Sequence, residues 1–385
     1  MTITINNKNK KTNVPNLRFP EFQGEWEKTK FGDIAVVVGG GTPDTNTSQY
    51  WNGKIQWFTP SEIGRNKYVY NSVRTISEEG LNKSSAKLLP IGTILLSSRA
   101  TVGECSINKK ECTTNQGFQS LIPKENISNE FVYYLIQTKR KDLIRKSCGS
   151  TFLEISANEV RKIVISIPTI KEQDNIANVL SLLDERIATQ NKIIEDLKKL
   201  KSAISKRLLC NDKWTTYKIH DIAEIGRGRV ISSVEIDRQK HPLYPVYSSQ
   251  TSNDGIMGYL DSYMFDGEYI TWTTDGANAG TVFYRKGKFN CTNVCGTLKI
   301  QPKFDCYFVS LVLQQATQKY VSSNLANPKL MNNTMASIKI RMPNIETQKQ
   351  LSKVFQTLDS CLLVHQRTCK MYLSEKQYLL CQMFI

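Results

Sequence analysis

Arginine, lysine, asparagine, glutamine and serine gather in glycine-punctuated stretches of this 385-residue chain, a mixture suited to phosphates and base edges rather than to making or breaking bonds. A first group comprises Lys54, Arg65, Lys67, Arg99, Thr101 and Gln116. A second comprises Arg227, Arg229, Ser248, Ser249, Gln250, Asn253, Arg285 and Lys286. A guanidinium or carboxamide can engage a purine edge through two hydrogen bonds, whereas a lysine ammonium more often positions phosphates. Singly, each of these side chains also reads as solvated surface. Trp51, Trp57 and Trp272 could stack or wedge against bases, but read first as core.

Catalytic constellations are missing from the same sequence. No GxxxxGK[ST], no GxGxxG after a strand and no HExxH occurs; Gly39-Gly40-Gly41-Thr42-Pro43 lacks the lysine of a P-loop. Three histidines, His220, His241 and His365, are too scattered for a triad or a metal centre. Asn327-Pro328-Lys329 does not make the Asn/Asp-Pro-Pro-aromatic turn that an amino-methyltransferase uses on a flipped base. Ten cysteines are dispersed without zinc-ligand spacing, the nearest pair being Cys291 and Cys295, and read as reduced thiols of a cytoplasmic protein. No apolar run is long enough to span a membrane, and residues 1–16 read as a polar, disordered tail. The expectation is a binding protein that holds neither metal nor cofactor itself.

The elements that must position these loops are announced by an internal repeat. IPTIKEQDNIANVLSLLDERI, starting at Ile167, returns 175 positions later as MPNIETQKQLSKVFQTLDSCL, starting at Met342. A 4-3 spacing selects Ile176, Leu180, Leu183, Ile187, Ile194, Leu197, Ile204 and Leu208 in the first copy, and Leu351, Phe355, Leu358, Leu362, Tyr372, Leu379 and Met383 in the second. Even the interruptions correspond: Gln190 matches His365, and Lys201 matches Lys376. A narrow seam kept for about five heptads predicts helix packed on helix, each about 57 Å long, most simply as an antiparallel pair. Each helix follows a proline, Pro168 or Pro343.

The helices divide the chain into a tail (1–16), a first block (17–168), a first helix (169–210), a second block (211–343) and a second helix (344–385). Formal net charge is +16, of which the blocks carry most, an electrostatic footprint expected of a protein that meets phosphates. Block openings correspond, KFGDIA with KIHDIA, as do TVG and TTNQG with NAGTV and CTNVC. Runs such as TILLS, YITWT, TVFY and GTLKI read as strands, while glycines mark turns between them. The fold class expected is mixed α/β (α+β): two globular domains with divergent loops, a pair of long antiparallel coiled-coil helices and a pseudo-two-fold repeat.

This layout resembles the specificity subunit of type I restriction-modification enzymes. LRFPEFQGEWEKTKFGDIAVVVGGGTP and WTTYKIHDIAEIGRGRV are similar to the starts of its two target recognition domains, and the repeated helices to its spacer. The resemblance implies a non-catalytic subunit on double-stranded DNA, each domain reading half of an asymmetric bipartite target. It further implies two docked modification subunits, restriction subunits joined through the complex, and S-adenosylmethionine, ATP and magnesium held by those partners. Spacer helices of that length would hold two readers at most roughly 17 base pairs apart. The competing expectation is a stand-alone structural or regulatory coiled-coil protein that binds other proteins.

Overall fold

A computed structural model describes residues 4–5, 13–149, 153–209, 212–250, 252–322 and 327–385. Compactness divides the chain into two units, residues 1–190 with 368–385, and residues 191–367. Each unit thus takes one block, the beginning of the helix that follows it and the end of the other helix. Residues 1–3 and 6–12 of the expected tail lie outside the described residues. Thr4–Ile5 nevertheless pairs with Leu17–Arg18, and the Asn13 carbonyl accepts from the Trp26 amide at 2.7 Å, so the chain joins the fold ahead of Leu17.

In the first unit a five-stranded sheet runs in the order Ala35–Gly39, Gln119–Pro123, Ile94–Leu96, Cys105–Asn108, Tyr68–Val69. A second, three-stranded sheet sets Cys112–Thr114 parallel to Trp51–Phe58, which pairs antiparallel with Arg74–Ile76. Alternation along these strands sends Leu121, Ile94 and Ile107 inward to pack against helix Asn129–Thr138. That helix ends at Thr138. It breaks at Lys139 and resumes as Arg140–Arg145.

The second unit repeats the plan. Its four-stranded sheet is ordered Ala223–Arg227, Cys295–Ile300, Glu268–Thr273, Val282–Lys286, and Asn290–Cys291 runs parallel to Tyr244–Tyr247 in a smaller sheet with Ile256–Leu260. Helix Cys306–Ala316 buries Phe308 beneath Trp214, with ring centroids 5.9 Å apart. Trp272 is fully buried and Trp57 nearly so; their indole N–H groups donate to the carbonyls of Leu330 and Gly41, each at 2.9 Å. Trp51 is also core, edge-on to Trp57 at 5.1 Å.

The long helices span Ile170–Leu208 and Ile345–Gln382. They are entered through a short antiparallel strand pair, Val164–Ile167 with Glu27–Lys30 and Lys339–Met342 with Thr215–Lys218. The repeated glutamine one turn into each helix explains itself here. Gln173 accepts from the Ser128 amide at 2.9 Å and donates to the Pro168 carbonyl at 2.9 Å. Gln348 accepts from the Asp305 amide at 3.0 Å and donates to the Pro343 carbonyl at 2.8 Å. Both are buried, so each carboxamide ties the helix entry to the block helix by satisfying two otherwise orphaned backbone groups.

Within the first unit the start of one long helix meets the end of the other. Ile176, Ala177 and Leu180 share a core with Leu379, Leu380, Met383 and Phe384, and Phe384 stacks on Phe131 at 5.1 Å. Burying a side chain of that size contributes about 2–3 kcal/mol. In the second unit Phe355 lies in the core with Leu209, Ile219 and Met342, while Ile204, Leu351 and Leu358 are partly buried against it. The remaining seam positions, Leu183, Ile187, Ile194, Leu197, Leu362 and Tyr372, are half-buried. Leu208 is exposed instead and Leu209 is buried in its place, because the first helix ends there and its last turn feeds the core of the second unit.

Two polar positions in the seam pair internally. Lys376 binds Asp184 at 2.6 Å in the first unit, and Lys201 binds Asp359 in the second. Each aspartate also accepts from a block tyrosine, Tyr134 at 2.7 Å or Tyr307 at 2.5 Å. Since 201 and 376 are one repeat position and 184 and 359 another, the same cross-helix bond is made twice, as antiparallel pairing of the two copies requires.

Candidate nucleic-acid interface

Both units build the same backbone frame at one end of their sheets. In the first, Ser98 N donates to Gly117 O at 2.9 Å, Gly103 N to Ser97 O at 3.1 Å, Asn115 N to Phe58 O at 3.0 Å and Ile155 N to Ser98 O at 3.0 Å. In the second, Thr274 N donates to Val294 O at 2.9 Å, Gly280 N to Thr273 O at 2.9 Å, Thr292 N to Tyr247 O at 2.9 Å and Leu330 N to Thr274 O at 2.8 Å. These bonds align Thr114 with Cys291 and Gly117 with Val294, one residue out of step with the match between TTNQG and CTNVC. At the edge of each frame a glycine is obligatory. A Cβ on Gly40 would lie 2.0 Å from Asn115 O, and one on Gly228 2.1 Å from Cys291 O.

The first-unit candidates divide between this frame and other places. Arg99 and Thr101 stand on the exposed turn that closes it, Thr101 Oγ1 lying 2.9 Å from Ser97 Oγ, and Gln116 is exposed beside it, accepting from Thr42 Oγ1 at 2.5 Å. Lys54, on Trp51–Phe58, and Arg65, next to Gly64, are exposed on other segments. Lys67 is not on the surface. Its ammonium is buried, paired with Glu130, 2.6 Å from Ser181 Oγ and 3.2 Å from Tyr134 Oη. Burial lowers its pKa, against the opposing pull of Glu130. This lysine braces the block against the long helix.

In the second unit Arg227 is held in place by Asn293 O at 2.5 Å and Thr274 Oγ1 at 3.0 Å, and Arg229 forms a bidentate pair with Glu235. Ser248 accepts from Thr292 Oγ1 at 3.4 Å, and the Ser249 carbonyl from Asn278 Nδ2 at 3.3 Å, bringing that segment to the same frame. Gln250 caps the Ile256 carbonyl, and Asn253 is exposed in the left-handed region at φ 49°. Arg285 is buried like Lys67. It binds the Asp254 carboxylate and carbonyl, each at 2.9 Å, over the Tyr247 ring, and so positions the 252–255 turn from beneath. Lys286 is exposed on an ion pair with Glu268 at 3.0 Å.

Burial pushes the thiol of Cys112 up to about 12 and that of Cys295 up to about 11, so both stay protonated at the base of their frames. Among the described residues no group of histidine, cysteine and carboxylate side chains could hold a metal ion, and no helix is long and apolar enough to cross a membrane. Sequence reasoning missed Glu154, Thr274, Asn278, Asn293 and Lys329 on the frames, and did not carry a contact to Asp275. It also missed that Lys201 and Lys376, which interrupt the seam, bind aspartates of the neighbouring helix. The matched positions 184 and 359 carried that signal.

The family model described as type I restriction modification DNA specificity domain matches residues 23–199 and again 211–370. The MjaIX type I restriction enzyme specificity subunit of Methanocaldococcus jannaschii is 41% identical over 180 residues, 46% of this chain and 42% of that relative. A putative type I specificity subunit of Mycoplasma pneumoniae is 39% identical over 196 residues, 50% of this chain and 82% of its own length. The chain thus spans well under half of the first of these relatives and most of the second. The crystal structure of a type I restriction-modification S subunit from M. genitalium shares the fold, with a TM-score of 0.69 over 97% of this chain and 99% of that one at 18% identity. The duplicated frame, the paired helices and the doubled match place the chain in the family of type I restriction-modification DNA specificity domains, a domain it carries twice.

Proposed function

We propose that this chain is the non-catalytic DNA-reading subunit of a type I restriction-modification complex, each unit reading one half of an asymmetric bipartite target through its loop frame. The observation that carries this reading is the frame itself: its hydrogen bonds are the same in both units, while the side chains mounted on it differ. A repeated scaffold with divergent loops suits two readers of different sequence, and a symmetric target would not require the divergence. The net charge of +16 supplies the attraction to phosphates that any such reader needs.

The partners proposed are double-stranded DNA, two modification subunits seated on the long helices and, through them, restriction subunits. Apolar side chains facing solvent on the helices favour such docking: Leu182, Met371 and Tyr378 in the first unit, and Leu200, Leu363 and Val364 in the second. S-adenosylmethionine, ATP and magnesium belong on those partners in this scheme. Co-expression with a type I modification subunit, followed by single-molecule sequencing of host DNA, tests the proposal. A co-purifying complex and a methylated bipartite motif that depends on this chain are expected. Failure to co-purify together with no such motif would favour a coiled-coil protein with only protein partners.

A further inference from the structure

The turn that closes each frame carries an exchange of charge. Arg99 bridges to Glu154 across the backbone in the first unit; in the second, the positions fixed by the same hydrogen bonds hold Asp275, bridged to Lys329. The side chains of Arg99 and Glu154 are 4.0 Å apart and about half exposed, so both can be reached from solvent. Ala100 beside Arg99 sits at φ 62°, where its counterpart is Gly276 at φ 92°. An alanine kept in the left-handed region costs about 1–2 kcal/mol, a strain that a passive connection would have no reason to retain.

Resting on the DNA-reading function above, we infer that the turn residue, Arg99 in one unit and Asp275 in the other, is a specificity determinant that gives the two units opposite hydrogen-bonding polarity. A guanidinium donates two bonds to the paired acceptors of a guanine edge. A carboxylate accepts from the exocyclic amino group of cytosine or adenine, and so selects an amine-bearing base. Glu154, its carboxylate 4.0 Å from the guanidinium, acts as a positioning residue for Arg99, whereas Lys329 meets Asp275 through the backbone bridge alone. The basic residues on the adjoining strand end follow the same exchange: where the first unit has Gly39 and Gly41, the second has Arg227 and Arg229, which supply the positive charge that Asp275 lacks.

The test uses the complex co-purified with its modification subunit, selected against duplexes randomised in both half-sites, alongside single-molecule sequencing of DNA methylated in the cell. Arg99→Asp with Glu154→Lys transplants the polarity of the second unit into the first. The expected result is a shift of roughly tenfold or more in base preference at one position of one half-site, toward an amine-bearing base, with the other half unchanged. Arg99→Lys should relax the same position while keeping overall affinity. Asp275→Arg with Lys329→Glu should shift the other half-site only, and it decides the matter if the first exchange does not fold. An unaltered motif would overturn the inference, as would changes in both halves, or a uniform loss of affinity with a salt slope about one unit shallower, which marks a phosphate contact. Failure of the wild-type complex to select any bipartite motif would instead defeat the reading on which the inference rests.

Discussion

The two loop frames differ in what they mount and agree in what they are made of. In the first unit the glycines Gly39, Gly40 and Gly41 leave the strand end bare and the closing turn is basic through Arg99. In the second the strand end is basic through Arg227 and Arg229, and the closing turn is acidic through Asp275. The backbone bonds are common to both because each fixes a buried amide or carbonyl that would otherwise cost about 1–3 kcal/mol. Side chains facing solvent carry no such obligation. Divergence is therefore concentrated where stability does not oppose it, and the same division separates the frames from the long helices.

That contrast breaks most severely at the helices. Leu183→Asp with Leu358→Asp places a charge at the same half-buried seam position of each copy, and disruption of both cross-helix contacts should abolish assembly with modification subunits. Analytical ultracentrifugation of the co-expressed proteins reads the outcome, and a complex of unchanged size would show that the seam does not organise the protein. Gln173→Leu and Gln348→Leu come next. Each leaves a backbone N–H and a carbonyl without a partner, so both should lower stability in chemical denaturation by about 2–3 kcal/mol. If one clamp proved dispensable, the two helix entries would not be mechanically equivalent.

The cross-helix pairs sharpen the comparison at smaller amplitude. Lys376 and Asp184 are 16% and 23% exposed, Lys201 and Asp359 25% and 39%. Better shielding should give the first pair the larger coupling in a double-mutant cycle, about 1–2 kcal/mol against about 1 kcal/mol or less for the second. Equal couplings would mean that the tyrosine bond to each aspartate, present in both units, dominates over solvent screening.

How much of this was legible follows from where physical constraint writes itself locally. Helical packing imposes a period on residues near one another in sequence, and at the terminal turn of the first helix the buried leucine is Leu209, one place past the Leu208 that the period selects. The strands TILLS, YITWT and GTLKI were readable for the same reason. Frame equivalence was visible only in short strings, TVG against NAGTV and TTNQG against CTNVC, the latter one residue out of register, since most of its bonds join segments far apart in sequence. Lys67 and Arg285 read as contacts because they are basic and lie near glycine-rich turns. Their partners are Glu130 and Asp254, 63 and 31 residues away, and local sequence gives no sign of either pairing. Lys201 and Lys376 illustrate the converse, with the partner written in the repeat at the matched positions 184 and 359.

The smallest predicted effect isolates the turn itself. Ala100→Gly relieves the positive φ at that residue and should raise stability by about 1 kcal/mol, offset in part by the greater freedom of glycine in the unfolded chain. Gly276→Ala imposes the same strain on the other frame and should lower stability by about 1 kcal/mol, the added methyl making only an ordinary contact with Asn327 Oδ1 at 3.9 Å. Thermal unfolding of the two single variants should thus move in opposite directions. Should Ala100→Gly also loosen base preference in the first half-site while Gly276→Ala leaves the second intact, the alanine would be acting to rigidify the turn beneath Arg99. Opposite shifts in stability with no change in preference would instead make the left-handed residue a feature of the shared frame alone, and would leave the charge mounted beside it as the element that distinguishes the two readers.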